Sequence, residues 1–241
     1  MLVVSLTSWT KRINNVLPVV KSIMDNTVKP DRVYLNLSLE EFKNIKLPQD
    51  LVDYFNSDER LIINWVNGPN TRSFKKIYPI LDYLEEDDII IFTDDDILFP
   101  IDLIEHRLKD FRTYGSKFPL SSSNRYTREI PNMMVISPVG LVTKKMLKNW
   151  EKLITKEIIS TNNDDRTLLY LLYLNGFCAK PVSRYTAMGL KKNFSYNQID
   201  SMGSMHLYPV GSEYDKIVSP IIKKICGTTI QKSFGFFEKY K

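Results

Sequence analysis

Apolar residues in this chain fall into short, β-branched runs separated by stretches of helical spacing, an alternation that predicts a sheet covered by helices. Residues 2–6 form the first such run and suit a buried strand. Polar Thr7, Ser8 and Thr10 follow, then Lys11 and Arg12. Ile13, Val16, Leu17, Val20, Ile23 and Met24 next recur at helical spacing. Pro30-Asp31 breaks the chain, and residues 33–37 read as a second strand. Pro48 interrupts again before a short helix over residues 51–55 and a third strand over 61–66. Gly68-Pro69-Asn70 makes a turn, after which Ser73 is expected to cap a helix carrying Ile77, Ile80, Leu81 and Leu84 on one face. An acidic loop, Glu85-Glu86-Asp87-Asp88, leads into residues 89–92, a fourth and wholly apolar strand.

Beyond Pro100 a helix is expected through Leu103, Leu108 and Phe111, then a polar, loop-like stretch over residues 121–129. Residues 133–136 read as a further strand and 146–154 as a helix. The apolar run 168–174 stops at Asn175-Gly176, a helix-terminating pair, before a last short strand within 178–182. After Arg184 the pattern fades. The whole implies an α/β domain over residues 1–190, its central sheet mostly parallel and covered on both faces, with a loop-rich extension over 191–241.

Composition narrows the class. With 43% hydrophobic and 25% charged residues among 241, the chain is far from the signature of disorder and long enough to bury a large core. The formal net charge is +5, yet Lys and Arg are scattered and acidic runs interrupt them. A nucleic-acid binder would cluster them in stripes, so no nucleic-acid partner is expected, and the excess favours small anions or an anionic surface. Cys178 and Cys226 sit in no zinc-binding spacing and are expected to be reduced. The N-terminus lacks a signal-peptide pattern, and no stretch approaches the roughly 18 apolar residues of a membrane span, so a cytoplasmic protein is expected.

The candidate chemistry lies in Asp94-Asp95-Asp96, delivered by the apolar strand Ile89-Ile90-Ile91-Phe92. Like charges at close range raise one another's pKa, so such a triplet is costly to hold together. The C-terminal edge of an open α/β sheet is where ligands bind. A divalent cation relieves the repulsion there, and hard oxygen ligands select Mg2+ or Mn2+. The plain alternative is a surface turn whose aspartates cap the next helix. Against it, the triplet ends a buried strand and Ile97-Leu98-Phe99-Pro100 resumes an apolar surface at once.

The segment from Ile89 to Pro100 resembles the DxD region of GT-A glycosyltransferases, more narrowly of family-2-like bacterial enzymes of surface-polysaccharide synthesis. Three further pieces match in order. Val3 to Ile13 resembles the first strand and nucleotide loop. Ser73-Phe74-Lys75-Lys76-Ile77-Tyr78-Pro79 is similar to the lysine-bearing helix start. Asn163-Asp164-Asp165-Arg166 resembles the acidic motif that opens a later helix. The resemblance implies that Thr7, Ser8 and Arg12 contact the nucleotide and that Lys76, or else Lys75, faces the donor phosphates. It places Asp94 and Asp95 on ribose and sugar, with Asp96 as the metal ligand and Asp94 beside it. Asp165, with Asp164 as alternate, becomes the general base. His206 is a candidate late metal ligand by the same analogy, whereas His106 lies within a predicted helix and reads as structural. Asp164 and Asp165 also have a plain explanation, since carboxylates at a helix N-terminus complement its dipole. Lys75 and Lys76 have one too, as a solvated helix face.

The reading that results is transfer of a sugar from a nucleotide-sugar donor, UDP-linked, to a hydroxyl of a glycan or lipid-linked glycan acceptor. An Asp165 base implies inversion. A sugar-phosphate nucleotidyltransferase is the first rival, but the loop from Thr7 to Arg12 has no glycine. A phosphohydrolase with an aspartate nucleophile would carry its DxD after the first strand, not the fourth. A non-catalytic glycan-binding module would have no need of all three aspartates and Asp165. Residues 220–241 mix Ile221, Ile222, Ile225, Phe234, Phe236 and Phe237 with five lysines. Such a segment suits either a peripheral contact with an anionic membrane surface or packing on the domain.

Overall fold

The computed structural model describes residues 1–122, 139–160, 164–186, 190–192 and 220. Strand β1, Leu2–Thr7, is followed by a short 3-10 turn, Ile13–Asn15, and helix α1, Val16–Met24. Val16, Val19, Val20, Ile23 and Met24 form the buried stripe of α1, the spacing read from the sequence. Strand β2, Arg32–Ser38, runs into the single-turn helix α2, Leu39–Phe42, capped by Ser38 Oγ accepting from Glu41 N. Helix α3, Gln49–Asn56, precedes strand β3, Leu61–Val66. Strand β4, Ile89–Thr93, carries the aspartate triplet at its end and is followed by β5, Ile97–Leu98, and helix α4, Leu103–Thr113.

The second half adds β6, Leu120–Ser121, β7, Val139–Thr143, α5, Lys156–Ser160, and α6, Asp164–Leu174. Two short strands, β8, Lys180–Pro181, and β9, Lys191–Lys192, complete the described set. The stop after α6 is a Schellman arrangement: Phe177 N bonds to Leu172 O, Gly176 N bonds to Tyr173 O, and Gly176 takes φ 88°.

The strands order as β3-β2-β1-β4-β7-β6-β8, with β5 and β9 paired separately. β3, β2, β1 and β4 are mutually parallel; β7 runs antiparallel to β4 and to β6. This mixed, mostly parallel sheet flanked by helices is the GT-A architecture. Successive residues Val3, Val4, Ser5 and Leu6 of β1 are all fully buried, so both faces of the sheet are covered. Register aligns the strand ends. Ser5 lies opposite Phe92 on one side, and Thr7 lies opposite Asn36 on the other. The residues just beyond β1 and β4 therefore emerge side by side at one edge.

Two expected helices differ. Ser73 does not cap a helix; it lies inside a 3-10 helix, Arg72–Lys76, and a second one, Tyr78–Tyr83, follows after Ile77 at φ −129° and ψ −62°. Pro79 is the reason, since it lacks the N–H a continuing helix needs and its ring crowds the preceding turn. The helix expected over 146–154 is likewise two 3-10 pieces, Lys144–Leu147 and Trp150–Leu153, separated by Asn149 in the left-handed region at φ 63°. The strand expected over 133–136 falls outside the described residues, and β7 just after it was not anticipated.

One buried cation ties the chain's return to the sheet edge. Arg107 of α4, fully buried, donates from Nη1 to Arg184 O at 2.8 Å and from Nη2 to Tyr185 O at 2.7 Å. Burial pulls its guanidinium down to about 10, against the pull of Asp110. Asp110 Oδ2 accepts from Ser183 N at 2.8 Å, and Asp102 accepts from the Tyr185 hydroxyl. Residues 183–185 are thus pinned to α4 shortly before β9, which pairs with β5 directly after the triplet.

Candidate active site

At the C-terminal edge of the parallel strands a polar ladder replaces the apolar core. Asn36 of β2, fully buried, donates from Nδ2 to Ser5 Oγ and Leu6 O and accepts from Asn64 Nδ2 at 2.8 Å. Thr7 Oγ1 donates to Asn36 O at 2.7 Å. These bonds fix the ends of β1, β2 and β3 relative to one another. Asn36 was not singled out from the sequence, although a polar residue within a fully buried strand was the available signal.

The triplet divides by partner. Asp95 accepts from Ser8 Oγ at 2.6 Å and from Arg12 Nη1 at 2.7 Å. It thereby closes the loop after β1 onto the end of β4. Arg12 Nη1 also lies 3.9 Å from Asp96 Oδ2. Asp94 faces the other way, accepting from Lys76 Nζ at 3.0 Å. Its side chain is 36% exposed, against 6% for Asp95 and 5% for Asp96. Burial raises the carboxyls of both Asp94 and Asp95, opposed by Lys76 in the first and by Arg12 and Ser8 in the second.

Lys76 also reaches the N-terminus of α6. Its Nζ lies 3.0 Å from Asp165 Oδ1 and 2.6 Å from Asp164 Oδ2. The Asp165 contact is a hydrogen bond; the Asp164 contact is an ion pair lying off the hydrogen-bond direction. Desolvation alone would lower the Lys76 ammonium, but Asp164, Asp165 and Asp94 outweigh it and hold it well above its ordinary value. The two acidic motifs, far apart in sequence, therefore meet at one lysine. Asp165 is the more accessible of its pair, 26% against 11%.

Lys75 is not brought to the aspartates. It is buried and donates to Asn70 Oδ1 at 2.6 Å and Arg72 O at 2.8 Å. Asn70 in turn bonds through its N to Glu40 and through Nδ2 to Glu41, and Glu41 also accepts from Thr10 N at 3.2 Å. No motif in the sequence announces this network beside the loop after β1, because its members come from segments far apart in the chain: Thr10, Glu40 and Glu41 of α2, and residues 70–75. Burial lowers Lys75 from 10.5 to about 8, with Glu41 opposing. The folded value lies below the unfolded one. The burial penalty is therefore fully present below about pH 8 and relieved as pH rises toward 10.5, where only the folded chain has lost the proton. Thermal denaturation should show wild type gaining on Lys75→Met between about pH 7 and about pH 10. A constant gap between the two would contradict the depressed value.

His206 lies outside the described residues, as do residues 221–241 of the basic tail. His106 bonds at the surface of α4 with Arg184 Nη1, 2.8 Å from its Nε2, and lies 3.3 Å from Asp102. Among the described residues no group of three His, Cys, Asp or Glu side chains is arranged to hold a metal ion. Ions of the magnesium type are commonly held by one or two carboxylates together with substrate phosphates. Asp94 and Asp96 are hard oxygen donors at the sheet edge, the ligand type that such an ion takes. No helix among the described residues is long and apolar enough to cross a membrane.

No protein-family model matches the sequence, and no curated protein does. Solved structures do. Residues 1–349 of Staphylococcus aureus TarS in complex with UDP superpose with a TM-score of 0.56 at 13% identity, covering 100% of this chain and 75% of that one. Another structure of Staphylococcus aureus TarS gives 0.51 at 14% identity, covering 100% of this chain and 46% of that one. The 2-C-methyl-D-erythritol 4-phosphate cytidylyltransferase of Francisella tularensis gives 0.48 at 12% identity, covering 85% and 98%. At these identities the likeness to TarS establishes the fold alone, the GT-A fold.

Proposed function

We propose that this protein is a glycosyltransferase that moves a sugar from a nucleotide-sugar donor, UDP-linked, to a hydroxyl of a glycan or lipid-linked glycan acceptor. The observation that carries the reading is the meeting of the aspartate triplet with Asp164 and Asp165 around Lys76 at the C-terminal edge of the sheet. One motif serves a donor and the other an acceptor, and transfer requires both within one site. The fold shared with UDP-bound TarS supports the choice of nucleotide.

In this reading Thr7, Ser8 and Arg12 shape the nucleotide pocket, and Asp95 holds that loop in place. Asp94 and Asp96 are the carboxylates that would hold Mn2+ or Mg2+, which supplies charge stabilisation to the departing diphosphate. Asp165 accepts the acceptor's hydroxyl proton as the new bond forms at the anomeric carbon and the bond to the diphosphate breaks. A single displacement of this kind inverts the anomeric centre. Asp165 is preferred over Asp164 because it is the more accessible.

A thermal-shift panel of nucleoside diphosphates with and without Mn2+ tests this. UDP with Mn2+ should raise the melting temperature far more than either alone, because each completes the other's site. Asp96→Ala should lose that gain. A chain that responds to no nucleotide would sink the proposal, and preference for a nucleoside triphosphate with release of pyrophosphate would turn it toward nucleotidyl transfer.

A further inference from the structure

Lys76 sits in the short 3-10 helix before β4, next to Lys75, yet the two point apart because residues in such a helix advance by about a third of a turn. Lys75 turns to Asn70 and the Arg72 carbonyl; Lys76 turns into the acidic cluster. Its side chain is 3% exposed, and its ammonium is ringed by Asp94 at 3.0 Å, Asp165 at 3.0 Å and Asp164 at 2.6 Å, with the Phe92 ring centroid 5.9 Å away. A donor phosphate reaching this enclosed ammonium would have to displace carboxylates that neutralise a buried charge.

Resting on the transferase reading above, we propose that Lys76 is a positioning residue and not a phosphate ligand: it locks the base-bearing start of α6 in register with the donor-side Asp94. Two motifs 70 residues apart reach one reacting centre only through such a tie, since Asp94 follows β4 whereas Asp164 and Asp165 open a helix from the far half of the chain. A misplacement of about 1 Å between reacting groups is enough to cost about a hundredfold in rate. The same tie explains why a lysine is buried here at all. It replaces repulsion between Asp94 and the α6 pair with attraction, and so lets the two carboxylate groups approach.

The test separates binding from chemistry. UDP affinity in the presence of Mn2+ is measured by calorimetry, and UDP release from a panel of UDP-sugars, with water as acceptor, is measured as initial rate. Lys76→Met should cut the release rate by about a hundredfold while UDP affinity stays within about threefold, and Lys76→Arg should recover part of the rate. If Lys76→Met does not fold, Lys76→Met/Asp164→Asn, which neutralises one carboxylate along with the cation, carries the same two readouts. Loss of UDP affinity in proportion to rate would make Lys76 a phosphate ligand and overturn the inference while leaving the transferase reading intact. A wild-type chain that binds no nucleotide removes that reading first, and the inference with it.

Discussion

Asp165→Asn is expected to lower sugar transfer by about 10²- to 10⁴-fold while leaving UDP affinity close to wild type. The amide matches the carboxylate in size but takes up no proton. In the proposed reading the position lies on the acceptor side, beyond the loops after β1 and β4 that would form the nucleotide pocket. Asp164→Asn should cost less rate, since that side chain is the more enclosed of the two. Initial rates with saturating UDP-sugar, beside nucleotide titrations, decide the matter. An Asp165→Asn enzyme of unchanged rate would remove the base from this residue, and an Asp164→Asn enzyme with the larger loss would move it one position back.

The second large effect is on stability. Asp95→Ala should destabilise the fold by about 3–5 kcal/mol, the usual cost of stripping one partner from a buried ion pair. Arg12 and Ser8 would lose the carboxylate that accepts from both. In a chain of this size that corresponds to a melting temperature lower by about 10 °C. Asp94→Ala should cost far less, because its carboxylate is over a third exposed and Lys76 keeps two other partners. Unfolding curves for the two variants give the comparison directly. Equal losses would mean that Asp95 is no more a structural brace than its neighbour.

Much of the fold could be read in advance because the strands announce themselves. The four parallel strands are predominantly apolar runs, and β3 falls on the residues expected of it. Strand direction is another matter. A buried run is apolar whichever way it points, so nothing in residues 139–143 signals that β7 runs antiparallel to β4. The 3-10 segments also escaped, because apolar spacing survives a helix interrupted at Ile77 or Asn149 while the hydrogen-bond pattern does not.

The site was legible as motifs and illegible as contacts. Three consecutive aspartates after a buried strand, and two at a helix start, are visible in the sequence. That both groups share one lysine is not, since Lys76 and Asp165 are 89 positions apart. The sequence reading put Lys76 before Lys75 by resemblance alone, and the physical difference between them, the direction each faces, is visible only in the backbone. The Glu40, Glu41, Asn70 and Lys75 network was hidden for the same reason.

The distances along the chain at Lys76 carry a consequence for biogenesis. Its partner Asp94 follows after 18 residues, but Asp165 only after 89, so a nascent chain finishes the β1–β4 half well before α6 exists. During that interval the lysine has one carboxylate to meet instead of three, and burying it is unfavourable. The first four strands should therefore stay loosely closed around this position until α6 docks. Docking of α6 and the completion of the acidic cluster become one step, driven by contacts of long sequence separation. A ribosome-bound chain ending near residue 122 is, on this view, a half-sheet waiting for its counter-charge.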